Sequence, residues 1–460
     1  MKHRTHLVLL ASLVTGTAWG MDVNATSTTF AQAWQQNRTG FSQSNYSPVT
    51  EYVAIDATGL GNPAISMHLY GWGLKDLGDP SSVYGKNTGD LTYGYLQYDF
   101  GRANAQLKAG RFTVNQGVGN ELVDGVSART DLRWGFAVSA FGGAPVVYKN
   151  NGPNQQSNIA YQHDVIFGGR LAWRAGKYGE IGVSALEDGS QPAYDLVPAQ
   201  PVDYTRRQMG VDLRMMPVAW FDFSGRTVFD IADHPQPAPG VDNSRIAEHD
   251  YKATARLSEQ ASLTGTYVER NLFAYYAGST LPTLFNQNEQ GMFKATGASL
   301  TWNPKASLQV VADLRRTERA AYGDATRFGA DLRWTFPDSH LLAGAGFHQV
   351  DAFSVVAVAP LVPAYSLSHN ELRAWVMAQR GTLSASLDGI LLHYADGPGN
   401  PELNGKSSES ALVGSLGYQA KENLKVTGNL TLDDSPVNGR QVLGLVRVDY
   451  RFGSAAKGGK

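Results

Sequence analysis

The chain has 460 residues, a formal net charge of −2, 50 glycines, 10% aromatic residues and no cysteine. This charge balance excludes the basic footprint of a nucleic-acid-binding protein, so nucleic acid is not an expected partner. The lack of cysteine excludes disulfides, thiolate metal sites and covalent haem attachment through Cys-x-x-Cys-His.

Residues 1–20 read as a signal peptide. Lys2, His3, Arg4 and His6 form a basic start, Leu7 to Val14 a short apolar centre, and Ala18 and Gly20 supply small residues for cleavage before Met21. That leaves residues 21–460 as one unit. Within it no apolar stretch approaches the roughly 18 residues of a transmembrane helix. Phe353 to Pro363 comes nearest and is interrupted by Pro360. Only helices and closed barrels satisfy every backbone polar group in lipid, so the unit is either soluble or a barrel.

Taken in chain order, the predicted elements are strands. The first lies near Ser27 to Gln35, and strict alternation of polar and apolar residues recurs about twenty times after it. Gly110-Arg111-Phe112 through Asp124-Gly125-Val126 stands apart, because its connection, Asn115 to Asn120, is glycine-rich and polar. It reads either as a loop folded into a lumen as a constriction or as an ordinary extracellular loop, and it lacks the Lys-Ser/Thr of a phosphate loop. Glu121 to Thr130 and Phe136 to Gly143 must be two strands joined at Leu132 to Gly135, or short and long turns would fall out of step.

Between Ala247 and Leu257, Glu248, Asp250, Lys252, Thr254 and Arg256 share one face, opposite Ala247, His249, Tyr251, Ala253, Ala255 and Leu257. The last strand repeats the pattern, with Arg447, Asp449 and Arg451 against Val446, Val448, Tyr450 and Phe452. Short connections, such as Gly101 to Arg102, Asn303 to Lys305 and Ala420 to Glu422, alternate with long ones such as Ile231 to Ser244 and Ala395 to Ser407. The fold class that follows is a single transmembrane antiparallel β-barrel of about 22 strands (20 to 24), with short periplasmic turns and long extracellular loops.

Four repeats of one form place charges on the wet face: Asp131-Leu132-Arg133, Asp212-Leu213-Arg214, Asp313-Leu314-Arg315 and Asp331-Leu332-Arg333. With Glu248, Asp250, Lys252, Arg256, Arg447, Asp449 and Arg451 they are the expected lumen-lining residues, pairing within and between strands. Both signs are mixed, and no Lys/Arg ladder of an anion-selective pore is seen. Leu-x-Trp endings place Trp134, Trp173, Trp302 and Trp334 just before short turns; with Tyr450 and Phe452 they form the expected periplasmic aromatic girdle.

Two connections, Phe273 to Phe285 and Phe353 to Tyr365, are unexpectedly apolar, and read either as interaction surfaces or as loops packed over the barrel mouth. The histidines (His163, His249, His340, His348, His393) show no metal-ligand spacing, and no catalytic constellation is legible. No enzyme activity, cofactor or metal is therefore expected.

The signal peptide, alternating strands, Leu-x-Trp turn ends and aromatic terminal strand together resemble the Gram-negative outer-membrane porin-like barrels, over nearly all of residues 21–460. Such barrels usually finish on an aromatic residue, whereas here Gly453 to Lys460 follow Phe452. The resemblance implies an outer-membrane location, lipid as a partner, and a channel for small hydrophilic solutes or ions. Barrels of about 22 strands usually enclose a plug, and only a few residues precede the first strand, so no plug domain is expected. A second implication stays open: the porin–cytochrome conduits, in which a cysteine-free barrel sheathes a multihaem c-type cytochrome. A homo-oligomer also stays open.

Overall fold

A computed structural model describes residues 21–36, 44–78, 87–146, 165–189, 206–231, 246–271, 292–319, 323–352, 354–355, 365–397, 400, 403–436 and 439–453. The proposed signal peptide, all of Phe273 to Phe285, most of Phe353 to Tyr365 and the residues after Gly453 lie outside them.

Twenty-two antiparallel strands make the wall. They are β1 (Asp22–Gln36), β2 (Pro48–Thr58), β3 (Ile65–Asp76), β4 (Asn87–Asp99), β5 (Gln106–Gln116), β6 (Gly119–Asp131), β7 (Phe136–Pro145) and β8 (Ile166–Arg174). Then come β9 (Gly179–Asp188), β10 (Arg206–Val218), β11 (Phe221–Asp230), β12 (Ile246–Arg256), β13 (Ala261–Asn271), β14 (Met292–Lys305) and β15 (Leu308–Arg319). The remainder are β16 (Gly323–Phe336), β17 (Leu341–Asp351), β18 (His369–Arg380), β19 (Leu383–Tyr394), β20 (Ser408–Lys421), β21 (Leu424–Ser435) and β22 (Gly439–Gly453). Each strand pairs with its sequence neighbours. The ring closes where β1 pairs with β22, from Asn24↔Gly453 to Trp34↔Leu443. Closure leaves no free sheet edge in lipid.

The period of two decides the faces. On β19, Leu383, Leu387 and Leu391 point outward and are exposed, while Ser384, Ser386 and Asp388 point into the lumen. Exposed leucines, valines and phenylalanines recur on the outer face of nearly every strand from β4 to β22, forming an apolar belt that only lipid can cover. No helix among the described residues is long and apolar enough to cross a membrane.

Strands β14 and β20 overrun the turns expected from sequence. β14 continues through Lys305 and β20 through Lys421, each with a bulge before the turn, at Trp302/Lys305 and Gln419/Lys421. A bulge inserts one residue into the ladder, and alternation alone does not reveal it. A second correction concerns Arg133. It sits in a 3-10 turn, Arg133–Gly135, between β6 and β7, and not on a strand's lumen face. Trp134 takes φ 60° and Gly135 φ 83° there, so the chain reverses before the alternation can carry Arg133 inward.

Candidate functional site

The segment that stood apart in the sequence is a tight hairpin that leaves the wall. β5 pairs with β4 only as far as Arg111↔Gly94, and β6 pairs with β7 only from Val123↔Pro145 onward. Beyond those points β5 and β6 pair only with each other. The bend is set by a row of small residues in register, Gly110↔Gly125↔Gly143. Gly110 holds φ 126°, and a Cβ on Gly125 would overlap the Gly142 carbonyl, so neither position accepts a side chain. Just past the bend, Arg111 grips Asp124 with two hydrogen bonds of 2.8 and 2.9 Å and donates a third, 2.9 Å, to the Leu91 carbonyl on β4.

The tip lies against the inner wall. The Val118 N–H donates to Ser184 Oγ on β9 (3.0 Å), and Arg226 on β11 donates to the Gly117 carbonyl (3.4 Å). Arg206 on β10 donates to Glu121 (2.6 Å) and to Asp188 (3.2 Å). One hairpin face, Phe112, Val114, Val118 and Val123, forms a buried cluster with Phe141, Ile166, Leu186, Val228 and Ala247. Ile166, Leu186 and Val228 occupy inward positions of β8, β9 and β11. They depart from the polar-in rule because the hairpin takes the place of water over them. Sequence reading missed this cluster. Its signal was an apolar residue on the otherwise polar side of three strands.

Below the tip lies a cavity of about 360 Å³ lined by Gln116, Arg129, Arg170, Arg174, Glu180 and Asp212, among others. Arg170 is ion-paired to Asp212 and to Glu180 (2.7 Å), and Arg174 to Glu180 (2.6 Å) and Asp131 (3.1 Å). Further round, Glu248, nearly buried, pairs with Arg226 (2.7 Å) and Arg270 (3.5 Å), which also lies 3.9 Å from Asp250. Arg214, Lys252 and Arg256 border a second recess, on β10 and β12. Asp313 pairs with Arg327 (2.8 Å), whose cross-strand neighbour is Arg315. Arg447 pairs with Asp449 on its own strand (2.7 Å). Arg451 lies across from Thr26 on β1, and Arg333 across from Gly344 on β17. The partners of Asp131, Asp212 and Asp313 thus come from other strands, and not from the arginine two residues on.

A different surface lines β22 and β1–β4. Inward rings run in an unbroken series: Phe30–Tyr52 (5.7 Å), Tyr52–Tyr70 (6.2 Å), Tyr70–Tyr93 (5.5 Å) and Tyr93–Tyr95 (5.9 Å). Arg447 caps one end over Phe30 at 5.4 Å and Lys108 the other over Tyr95 at 5.0 Å. Tyr95 also packs against the hairpin cluster. No sequence motif announced this arc, although tyrosine at inward strand positions was its trace.

On the outer face, Trp173, Trp302 and Trp334 lie within a few residues of short turns, each close to half exposed. Trp334 stacks on Phe336, and Phe452 packs edge-on to Tyr450 (4.2 Å). Trp134 occupies the turn itself, 85% exposed, and its carbonyl accepts a 3.2 Å hydrogen bond from Trp173 Nε1. Phe100, Tyr178, Trp220 and Tyr418 stand at the same rim and were not singled out from sequence.

No family model and no curated protein sequence matches the chain. Solved structures do. The translocation pore of the P pilus usher (PapC) aligns with a TM-score of 0.50 at 12% identity, covering 94% of this chain and 99% of that one. A mutant of the ferric enterobactin receptor (PfeA) from Pseudomonas aeruginosa aligns at 0.54 and 10% identity, covering 93% and 80%. Closed wall, apolar belt and these likenesses define the fold as an outer-membrane β-barrel. Within that class, the chain is a 22-stranded barrel with its own β5–β6 hairpin seated in the lumen.

Proposed function

We propose that the chain is a diffusion channel for small hydrophilic solutes or ions across the outer membrane, with the hairpin setting its narrowest section. One observation carries this reading: the β5–β6 tip is fastened to β9, β10 and β11 by hydrogen bonds and an ion pair. A bore of about 22 strands is wider than the roughly 16 to 18 that already leave an aqueous channel, and an inward hairpin narrows it. The paired charges of Arg170 with Asp212 and of Arg327 with Asp313 line the passage as mixed dipoles, which suits general hydrophilic solutes over ions of one sign. A sleeve around a multihaem cytochrome needs that same lumen space for a coaxial protein, so the hairpin favours the channel.

Planar-bilayer recording tests it. The purified barrel should give stepwise conductance, and replacing residues 113–121 by a short glycine linker should raise the unit step several-fold. Electrical silence sinks the channel, and an unchanged step after the replacement sinks the hairpin's role. Haem-staining protein co-purifying in fixed stoichiometry decides for the sleeve.

A further inference from the structure

Three inward side chains from three successive strands converge away from the hairpin: Asp313 on β15, Asp331 on β16 and His348 on β17. We propose that they form a binding site for one divalent transition-metal ion, of the Zn²⁺, Ni²⁺ or Cu²⁺ class, on the lumen wall. His348 Nε2 lies 3.1 Å from Asp313 Oδ1 and 3.5 Å from Asp331 Oδ2, and the three ligand atoms fall within 4.8 Å of one another. Tetrahedral bonds of about 2.0 Å separate neighbouring ligand atoms by about 3.3 Å, so a single ion fits between atoms so placed with little movement.

Independent features support a built site. His348 is almost wholly buried, with its side chain 3% exposed, and its Nδ1 lacks a hydrogen-bond partner. Glu371 Oε1 stands 3.8 Å from that nitrogen. With Nε2 on a metal in place of its contact with Asp313, the Nδ1 side of the ring would face this carboxylate, the kind of outer partner that metal-bound histidines commonly have. The backbone is also cut away to receive the ligands. A Cβ on Gly329 would overlap the His348 ring, and one on Gly346 would overlap the Asp331 carboxylate. Gly329 is the cross-strand neighbour of His348, and Gly346 that of Asp331, so both side chains lie flat over bare main chain.

The surrounding groups leave the ligand atoms available. Arg327 donates to Asp313 Oδ2 (2.8 Å), which orients the carboxylate and leaves Oδ1 facing His348. Arg373 is held in two hydrogen bonds by Asp388 (3.0 and 2.5 Å). The Asp331 side chain is 53% exposed, so lumen water supplies the remaining coordination. One imidazole with two carboxylates suits the borderline metals, whereas Ca²⁺ and Mg²⁺ ask for oxygen alone.

The test uses the full refolded barrel in detergent after chelator treatment. Zn²⁺ titration by calorimetry should show one saturable equivalent, and Cu²⁺ bound in its place should show coupling to one nitrogen in electron paramagnetic resonance. His348→Gln and Asp331→Asn should each weaken binding at least tenfold, while His340→Gln, in the turn before β17, leaves it unchanged. Asp331 is half exposed, so its variant stays informative if His348→Gln fails to fold, as judged by heat-dependent gel migration. Absence of a stoichiometric equivalent, or undiminished affinity in both ligand variants, overturns the site. Neither readout depends on conductance, so it stands or falls apart from the channel.

Discussion

Strands β8–β12 and strands β1–β4 face the same lumen, yet they present unlike surfaces to it. On the first arc, Ile166, Leu186 and Val228 point inward and are sealed by Phe112, Val114, Val118 and Val123 of the hairpin. On the second, Phe30, Tyr52, Tyr70 and Tyr93 point inward and remain half-exposed. The difference shows that the polar lumen of a barrel follows from contact with water and is not a property of the inner face as such. Where protein replaces water, aliphatic residues are favoured there. Where water stays, the rings beyond Phe30 are tyrosines, which offer both a flat apolar face and a polar tip.

Substitutions can break or sharpen this contrast. The largest effect is expected at the bend. Gly125→Val drives a side chain into the Gly142 carbonyl, within main chain that has no room to yield. The cost should exceed about 4 kcal/mol, seen as loss of the folded, heat-modifiable band; a normal yield of folded barrel would mean that the glycine row does not set the bend. Next comes the sealed arc. Phe112→Ala leaves a hole in the hairpin cluster, worth about 3–5 kcal/mol for a phenylalanine in such a core. The loss should fall on the hairpin alone, so the Val118 amide, bonded to Ser184, exchanges its hydrogen at least a hundredfold faster while amides of β20 keep their rates. Equal acceleration in β20 would contradict an independently docked hairpin. The smallest effect belongs to the open arc. Tyr70→Ala removes ring contacts of about 0.5–1.5 kcal/mol each, and should lower the unfolding midpoint only slightly. A drop as large as that of Phe112→Ala would make the rings a structural core and not a lining.

Much of the architecture was legible in the sequence because it is local. The separation of β6 from β7 followed from keeping short and long turns in step. Arg133 was misplaced because the alternation was extended through a reversal that Trp134 and Gly135 make possible. The partners of Asp212 and Asp313 were not legible, since Arg170 and Arg327 approach them from other strands. The convergence of Asp313, Asp331 and His348 was hidden for the same reason, as each comes from a different strand and no short spacing links them.

By itself, then, the sequence determined a ribbon of alternating faces and its closure into a barrel of about 22 strands, because side-chain direction along a strand depends only on neighbouring residues. Only the tertiary structure decided that β5 and β6 leave the wall to fill part of the lumen. A hairpin strand and a wall strand share one local conformation. What separates them is which distant surface their apolar side meets, and for Phe112 that surface is built from β7 to β12.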